Sequence, residues 1–251
     1  MINLETLLPE IRHAVVLIPH PDDEAIGCGA LLAKLAARSI KVSIILATNG
    51  DGAGELPEGT SQLRLAEFEQ SLARLGVKGV PEYWLLSDGF LSSQPQLAER
   101  VRLSIERTAP DLIVAPWEGD IHPDHRALGA AVASISSALK AHRVYYEVWN
   151  PLSANAFIDA TDVWPMKLGA LKLHKTALLY GDYVHAMTGL AAYRSLLLPF
   201  DPKRPQYAEA YILELAQSPE SDTPSSPPLE ERRYTVGSRL LRWLGLRGDT
   251  P

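Results

Sequence analysis

Apolar residues along the chain follow two alternating patterns: short unbroken runs rich in Val and Ile, and longer stretches in which apolar positions recur every three or four residues. The first run, Ala14, Val15, Val16, Leu17 and Ile18, has no polar face and predicts a strand buried on both sides. Residues 25–38 then carry a helical period. A second β-rich run at 41–47 ends in Thr48-Asn-Gly-Asp-Gly-Ala-Gly54, a cluster that predicts a loop. Leu63, Ala66, Phe68, Leu72 and Leu75 place a helix over 60–75, which Gly76 can end. Further strands are predicted at 83–86, 111–116 and 143–149, with helices at 94–108 and 125–140. This alternation, with crossovers of helical length, predicts an α/β, Rossmann-like three-layer fold with a mainly parallel, doubly wound sheet. Beyond Asn150 the pattern weakens: 151–162 reads as a loop, 163–180 as a helix, and 207–215 as a strand or a helix.

The domain so described occupies residues 1–217. Residues 218–230, rich in Pro, Ser and acidic side chains, read as a linker to a tail at 231–251. In the tail, Arg232, Arg233, Arg239, Arg242 and Arg247 alternate with Val236, Leu240, Leu241, Trp243, Leu244 and Leu246, which a helix would sort into basic and apolar surfaces. Two readings fit 232–247. One is a helix lying on an anionic membrane surface; the other is a helix docking on the protein itself or on a second subunit of a homo-oligomer.

Composition narrows the class. With 251 residues, 46% of them hydrophobic, the chain can bury one substantial core. A single cysteine, Cys28, excludes an internal disulfide framework and a multi-cysteine zinc site, and its place between Gly27 and Gly29 predicts a small packing residue. The formal net charge of −6 argues against nucleic acid as a partner. The first residues lack a basic and apolar leader pattern, and no stretch approaches the roughly 18 apolar residues of a membrane span, so a cytoplasmic protein is expected, at the inner membrane face if the tail binds lipid.

Two of the strands run abruptly into charge. The first delivers the chain into Pro19-His-Pro-Asp-Asp-Glu24, the fourth into Trp117-Glu-Gly-Asp-Ile-His-Pro-Asp-His125. In open α/β sheets, ligands bind at the carboxyl ends of strands. A dinucleotide site would put glycines there; Asp22, Asp23 and Glu24 repel phosphate and attract a cation. Together the loops offer His20, Asp22, Asp23, Glu24, His122, Asp124 and His125. Two imidazoles and a carboxylate suffice for a catalytic zinc with one open position, and a carboxylate left unligated beside it could serve as general base.

The pair His20-Pro-Asp-Asp-Glu24 and His122-Pro-Asp-His125 resembles the LmbE/PIG-L deacetylases, zinc enzymes that remove an acetyl group from N-acetylglucosamine-type sugars. The resemblance extends to Arg64 and Glu67, Tyr146-Glu-Val-Trp149, Asp182-Tyr183 and Gly189-Leu-Ala-Ala-Tyr-Arg194, and covers about residues 12–215. It implies that His20, Asp23 and His125 bind zinc, that Asp22 is the general base, and that His122 stabilises the oxyanion. Asp124 would orient one of the histidines. Arg64 matches a position that contacts substrate. The implied partner is an N-acetylated amino sugar, free, nucleotide-linked or lipid-linked, and the donor set accepts iron(II) or cobalt(II) as well as zinc. Some family members carry a Tyr where this chain has Asp120, and many read His-x-Ser-Gln where it has His174-Lys-Thr-Ala177. His13, His142, His174 and His185 are assigned no role.

Two rivals use the same residues. Two His and one carboxylate also hold non-haem iron in oxygenases, but those sites usually space the first ligands as His-x-Asp on β-barrel strands. A non-catalytic α/β module binding a glycan or nucleotide has no need of the unligated Asp22.

Overall fold

The computed structural model describes residues 1–52, 56–135 and 140–216. The linker read at 218–230, the tail at 231–251 and the last turn of the helix read at 125–140 lie, wholly or in part, outside the described residues. The elements are, in order, β1 (Ile2–Asn3), β2 (His13–Ile18), α1 (Asp23–Gly27), α2 (Gly29–Ala37), β3 (Lys41–Thr48), α3 (Thr60–Arg74), β4 (Glu82–Leu86) and α4 (Leu97–Thr108). Then come β5 (Leu112–Pro116), α5 (Pro123–Ala133), β6 (His142–Tyr146), β7 (Ala156–Asp159), α6 (Trp164–Leu171), α7 (Tyr183–Arg194) and β8 (Ala208–Glu214). Among the described residues no helix is long and apolar enough to cross a membrane.

The strands form one sheet in the order β1-β7-β8-β6-β5-β2-β3-β4. Every pairing is parallel except those of β8, which runs antiparallel to β6 and β7. The α/β doubly wound reading therefore holds. Along β2 the side chains divide by the period of two: Ala14, Val16 and Ile18 enter a core covered by α2, α3 and α6, while Val15 and Leu17 enter a second core covered by α4 and α5. Helices on both faces account for the absence of a polar face in the sequence. β2 pairs with β3 on one side and β5 on the other, so the strand order reverses at the β2–β5 seam.

The helix read at 25–38 is broken at Cys28, and a buried ion pair bonds the backbone on both sides of the break. Glu209 of β8 accepts the backbone N–H groups of Ala30 (2.8 Å) and Leu31 (3.0 Å), while Lys167 of α6 donates to the carbonyl of Ile26 (2.8 Å) and to Glu209 (2.6 Å). Groups orphaned by the break are thus satisfied from outside the helix. The break also brings the Tyr146 ring against Gly27, where a Cβ would lie 2.2 Å from the ring. Cys28 is fully buried, as its neighbours implied.

The reading of the second half needs correction. The helix read at 163–180 stops at Leu171, and the stretch after it holds only a short 3-10 turn at Ala177–Leu179. The loop read at 151–162 contains β7, hydrogen-bonded between β1 and β8. α7 was not expected at all; it buries only Ala191, so no apolar stripe marks it. The strand read at 143–149 leaves the sheet after Tyr146.

Glu209→Ala would leave Lys167 charged, buried and unpaired. A loss of about 3–5 kcal/mol in unfolding free energy is expected, measured from the urea midpoint.

Candidate metal centre

Each half of the site is built by a strand end and the helix that follows. After β2, the carbonyl of Pro19 is held by the backbone and hydroxyl of Thr48 (3.0 and 2.8 Å), which anchors the loop to β3. Asp22 then takes φ 141° and ψ −26°, a conformation L-residues rarely adopt, with strain on the order of 1–3 kcal/mol. Its carbonyl starts α1 by accepting from Ala25 and Ile26, both at 3.0 Å. After β5, His122 caps α5: its Nδ1 accepts the N–H of Asp124 (3.2 Å), and Pro123 occupies the first helical position. α5 sits so close to the end of β5 that a Cβ at Gly129 would lie 2.5 Å from the Pro116 carbonyl. That approach carries His125 to the seam.

Three donor atoms converge there. His20 Nδ1 lies 3.1 Å from Asp23 Oδ2 and 3.2 Å from His125 Nε2, and His125 Nε2 lies 3.1 Å from Asp23 Oδ2. Ligands about 2.0–2.1 Å from a tetrahedral zinc stand roughly 3.4 Å apart, so this buried triangle has the size a zinc requires. His122 joins His20 and His125 in a looser group whose ring nitrogens lie within 4.8 Å of one another. A further group, His20 with Asp88 and Asp124, lies on the opposite edge of the His20 ring, with Nε2 3.1 Å from Asp88 Oδ1 and 3.2 Å from Asp124 Oδ2. With Nδ1 facing the triangle, Nε2 carries the proton and these carboxylates accept it.

The outer carboxylates are themselves tethered. Asp124 accepts the N–H groups of Gly89 (2.7 Å) and Leu91 (2.9 Å), joining His20 to the β4–α4 loop. Asp88, two residues beyond β4, also accepts from Gly52 (3.1 Å). Asp120 accepts from the backbones of His122 (2.8 Å) and Trp149 (3.1 Å) and places Oδ2 3.6 Å from His125 Nδ1. That last separation is electrostatic contact, too long for a hydrogen bond. Asp88 was missed by the sequence reading, although Ser87-Asp88-Gly89 follows a strand on the same side of the switch point, which was the available signal.

Arg64 does not pair with Glu67, which instead accepts the Thr176 N–H (3.1 Å). Its guanidinium reaches Asp22 Oδ2 (3.1 Å), the Pro21 carbonyl (3.2 Å) and the Gly50 carbonyl (3.0 Å). The two loops are thereby tied together beneath Asp22.

Charge in the cluster favours a cation. Burial alone would raise the Asp23 carboxyl, but His125 and His20 hold it well below the usual range. Burial would lower His125, yet Asp23 and Asp120 push it up to about 9; His20 is likewise raised, against burial, by Asp124, Asp23 and Asp88. Protons on these rings stand where a metal ion would supply the positive charge. Burial lowers His122, and the nearby His20 and His125 lower it further. The donors open into a cleft of about 230 Å³ whose walls include Asp22, Arg64, His122, Trp149 and Tyr183. The Trp149 ring is half-exposed and lies nearly parallel to His122, 6.5 Å between centroids. Two larger hollows, about 640 and 750 Å³, lie on the β3–β4 flank and against α4 and contain no histidine, so donor convergence rather than volume locates the site.

Residues 15–136, which include every donor above, match the family described as PIG-L: GlcNAc-PI de-N-acetylase. Over 140 residues the chain is 34% identical to the 1D-myo-inositol 2-acetamido-2-deoxy-alpha-D-glucopyranoside deacetylase of Corynebacterium diphtheriae, an overlap of 45% of this chain and 48% of the relative. It thus spans about half the length of that relative. Over 193 residues it is 26% identical to the diacetylchitobiose deacetylase of Thermococcus kodakarensis, covering 66% of this chain and 70% of the relative. The N,N'-diacetylchitobiose deacetylase of Pyrococcus horikoshii superposes with a TM-score of 0.73 at 20% identity, over 88% of this chain and 91% of that one, a likeness of fold.

Asp88→Ala removes one acceptor of the His20 Nε2 proton. Zinc affinity, measured by chelator competition, is expected to fall by roughly 10–100-fold with the circular dichroism spectrum unchanged.

Proposed function

We propose, from the match of residues 15–136 to the PIG-L family, that the chain is a metal-dependent hydrolase removing the acetyl group from an N-acetylglucosamine-type sugar. The observation that carries this reading is the triangle of His20, Asp23 and His125 with Asp22 beside it and outside it. His20, Asp23 and His125 are the residues that would hold the metal. Zinc suits two imidazoles and one carboxylate with an open position, and iron(II) and cobalt(II) accept the same set. When bound, the metal supplies Lewis acidity, polarising an acyl oxygen and making water nucleophilic near neutral pH.

The chain's own residues do the rest. Asp22, held by Arg64, takes the proton of the attacking water on its carboxylate. As the water oxygen bonds to the acyl carbon, the C–N bond breaks and Asp22 returns that proton to the departing nitrogen, leaving acetate and a free amine. His122 accepts the Asp124 N–H at Nδ1, so in its neutral form the proton is on Nε2. That N–H is the donor available to the oxygen on which negative charge develops. Asp120 and Asp124 keep the rings in register. Trp149 and Tyr183 supply apolar wall area for a sugar face. By their names the two curated relatives act on a glucosaminide joined to inositol and on a disaccharide; an N-acetylglucosaminide carrying a second polar ring is the substrate class proposed for this chain.

Acetate release from a panel of N-acetylglucosamine compounds tests the reading. Asp22→Asn in zinc-loaded protein is expected to lower kcat by about 10²–10⁴-fold with zinc still bound one to one. His122→Ala is expected to lower kcat by roughly 10²–10³-fold, as loss of an oxyanion donor does. Undiminished release by the Asp22 variant would remove Asp22 from the mechanism.

A further inference from the structure

The proposed reaction leaves one fully buried carboxylate beside the site unused. Glu24, in α1, is entirely inaccessible to solvent. Its Oε2 accepts the backbone N–H of Asp22 at 3.1 Å. Its Oε1 accepts the hydroxyl of Ser71 in α3 at 2.5 Å and Nε2 of His174, just beyond α6, at 2.6 Å. His174 is itself buried, and its Nδ1 has no hydrogen-bond partner. The ring therefore has one hydrogen-bond partner, Glu24.

This arrangement bears on the strained residue. At φ 141° the peptide between Pro21 and Asp22 turns its N–H inward, toward Glu24. An unfavourable backbone conformation persists only where its surroundings over-determine it. The Asp22 carbonyl is held by the start of α1, an interaction any helix start would supply. The inward N–H is held by Glu24 alone. Rotation of that peptide toward an ordinary conformation would break this bond and swing the Asp22 carboxylate away from Arg64 and the cleft.

We propose that Glu24, clamped by Ser71 and His174, is the positioning residue that keeps Asp22 in its left-handed conformation and so aims its carboxylate. The consequence for the reaction rests on the reading of Asp22 as the base. His174, two elements away from the metal donors, is then part of the machinery that orients the base, and touches neither metal nor substrate.

The test uses zinc-loaded, ¹⁵N-labelled protein and two readouts: amide hydrogen exchange at Asp22, and acetate release from N-acetylglucosamine and N,N'-diacetylchitobiose. His174→Ala is expected to speed exchange of the Asp22 amide by about tenfold or more, with zinc stoichiometry and exchange in β2 and β5 unchanged. It should lower kcat by roughly 10–100-fold while KM stays within about twofold, as misalignment of a reacting group does. His174→Gln, whose side-chain amide can donate to Glu24 Oε1, should restore most of both. In the Asp22→Asn background, His174→Ala should change kcat by less than about twofold, because the two act through one group. Glu24→Ala should repeat the exchange result; if it does not fold, the His174 pair decides. Wild-type exchange at Asp22 in folded His174→Ala overturns the proposal, as does an equal loss of kcat with and without Asp22. Should Asp22→Asn by itself leave kcat unchanged, the base reading fails, while the exchange experiment still decides whether the clamp exists.

Discussion

Parallel pairing of β2 with β5, with Ala14 opposite Leu112 and Val16 opposite Val114, is the constraint on which the site depends. The two charged loops lie about a hundred residues apart in the chain, and nothing local draws them together. Side-by-side strands whose carboxyl ends point the same way, with their connections leaving in opposite directions, open a crevice between the loops. A shift of this register by one residue would turn His20 and His125 away from each other and reverse which core each apolar side chain enters. Hydrophobic burial on both faces of β2 therefore sets the position of the polar chemistry at its end.

Around the crevice, acidic side chains serve as fasteners more often than as surface charge. Asp120 ties His122, Trp149 and the far edge of His125 into one unit. Asp124 joins His20 to the loop after β4, and Arg64 joins the loop after β2 to the loop after β3. On the remote side of α1, Glu209 and Lys167 satisfy the ends of a helix that must break for Tyr146 to pack. Each such group would be expensive to bury alone and is tolerable because it is multiply bonded. The outcome is a bonded shell around three donors at metal spacing.

The same dense bonding explains how a strained Asp22 persists. Its conformation is stabilised by α1 on one side and by Glu24, Ser71 and His174 on the other, and its side chain is met by Arg64. Strain concentrated at one residue beside the donor triangle and offset by an extensive buried network is what distinguishes this loop from an ordinary helix cap.

Much of this was legible in the order of residues. The apolar run at 14–18, the charged loops at 19–24 and 117–125, and the alternation of periods through residue 149 determined the fold class, the sheet's parallel character and the candidate donors, because strand and helix periodicity are local and strand ends are where such sheets bind ligands. The second half was less readable: β7 is four residues long, α7 has no apolar stripe, and the helix break at Cys28 depends on Glu209, 181 positions away. Asp88, the outward role of Asp120 and the partnership of Glu24 with His174 were decided by tertiary structure alone. A carboxylate's function depends on which donors surround it in space, and donors brought by β4, α3 and the segment after α6 leave no mark on the sequence around the residue they hold.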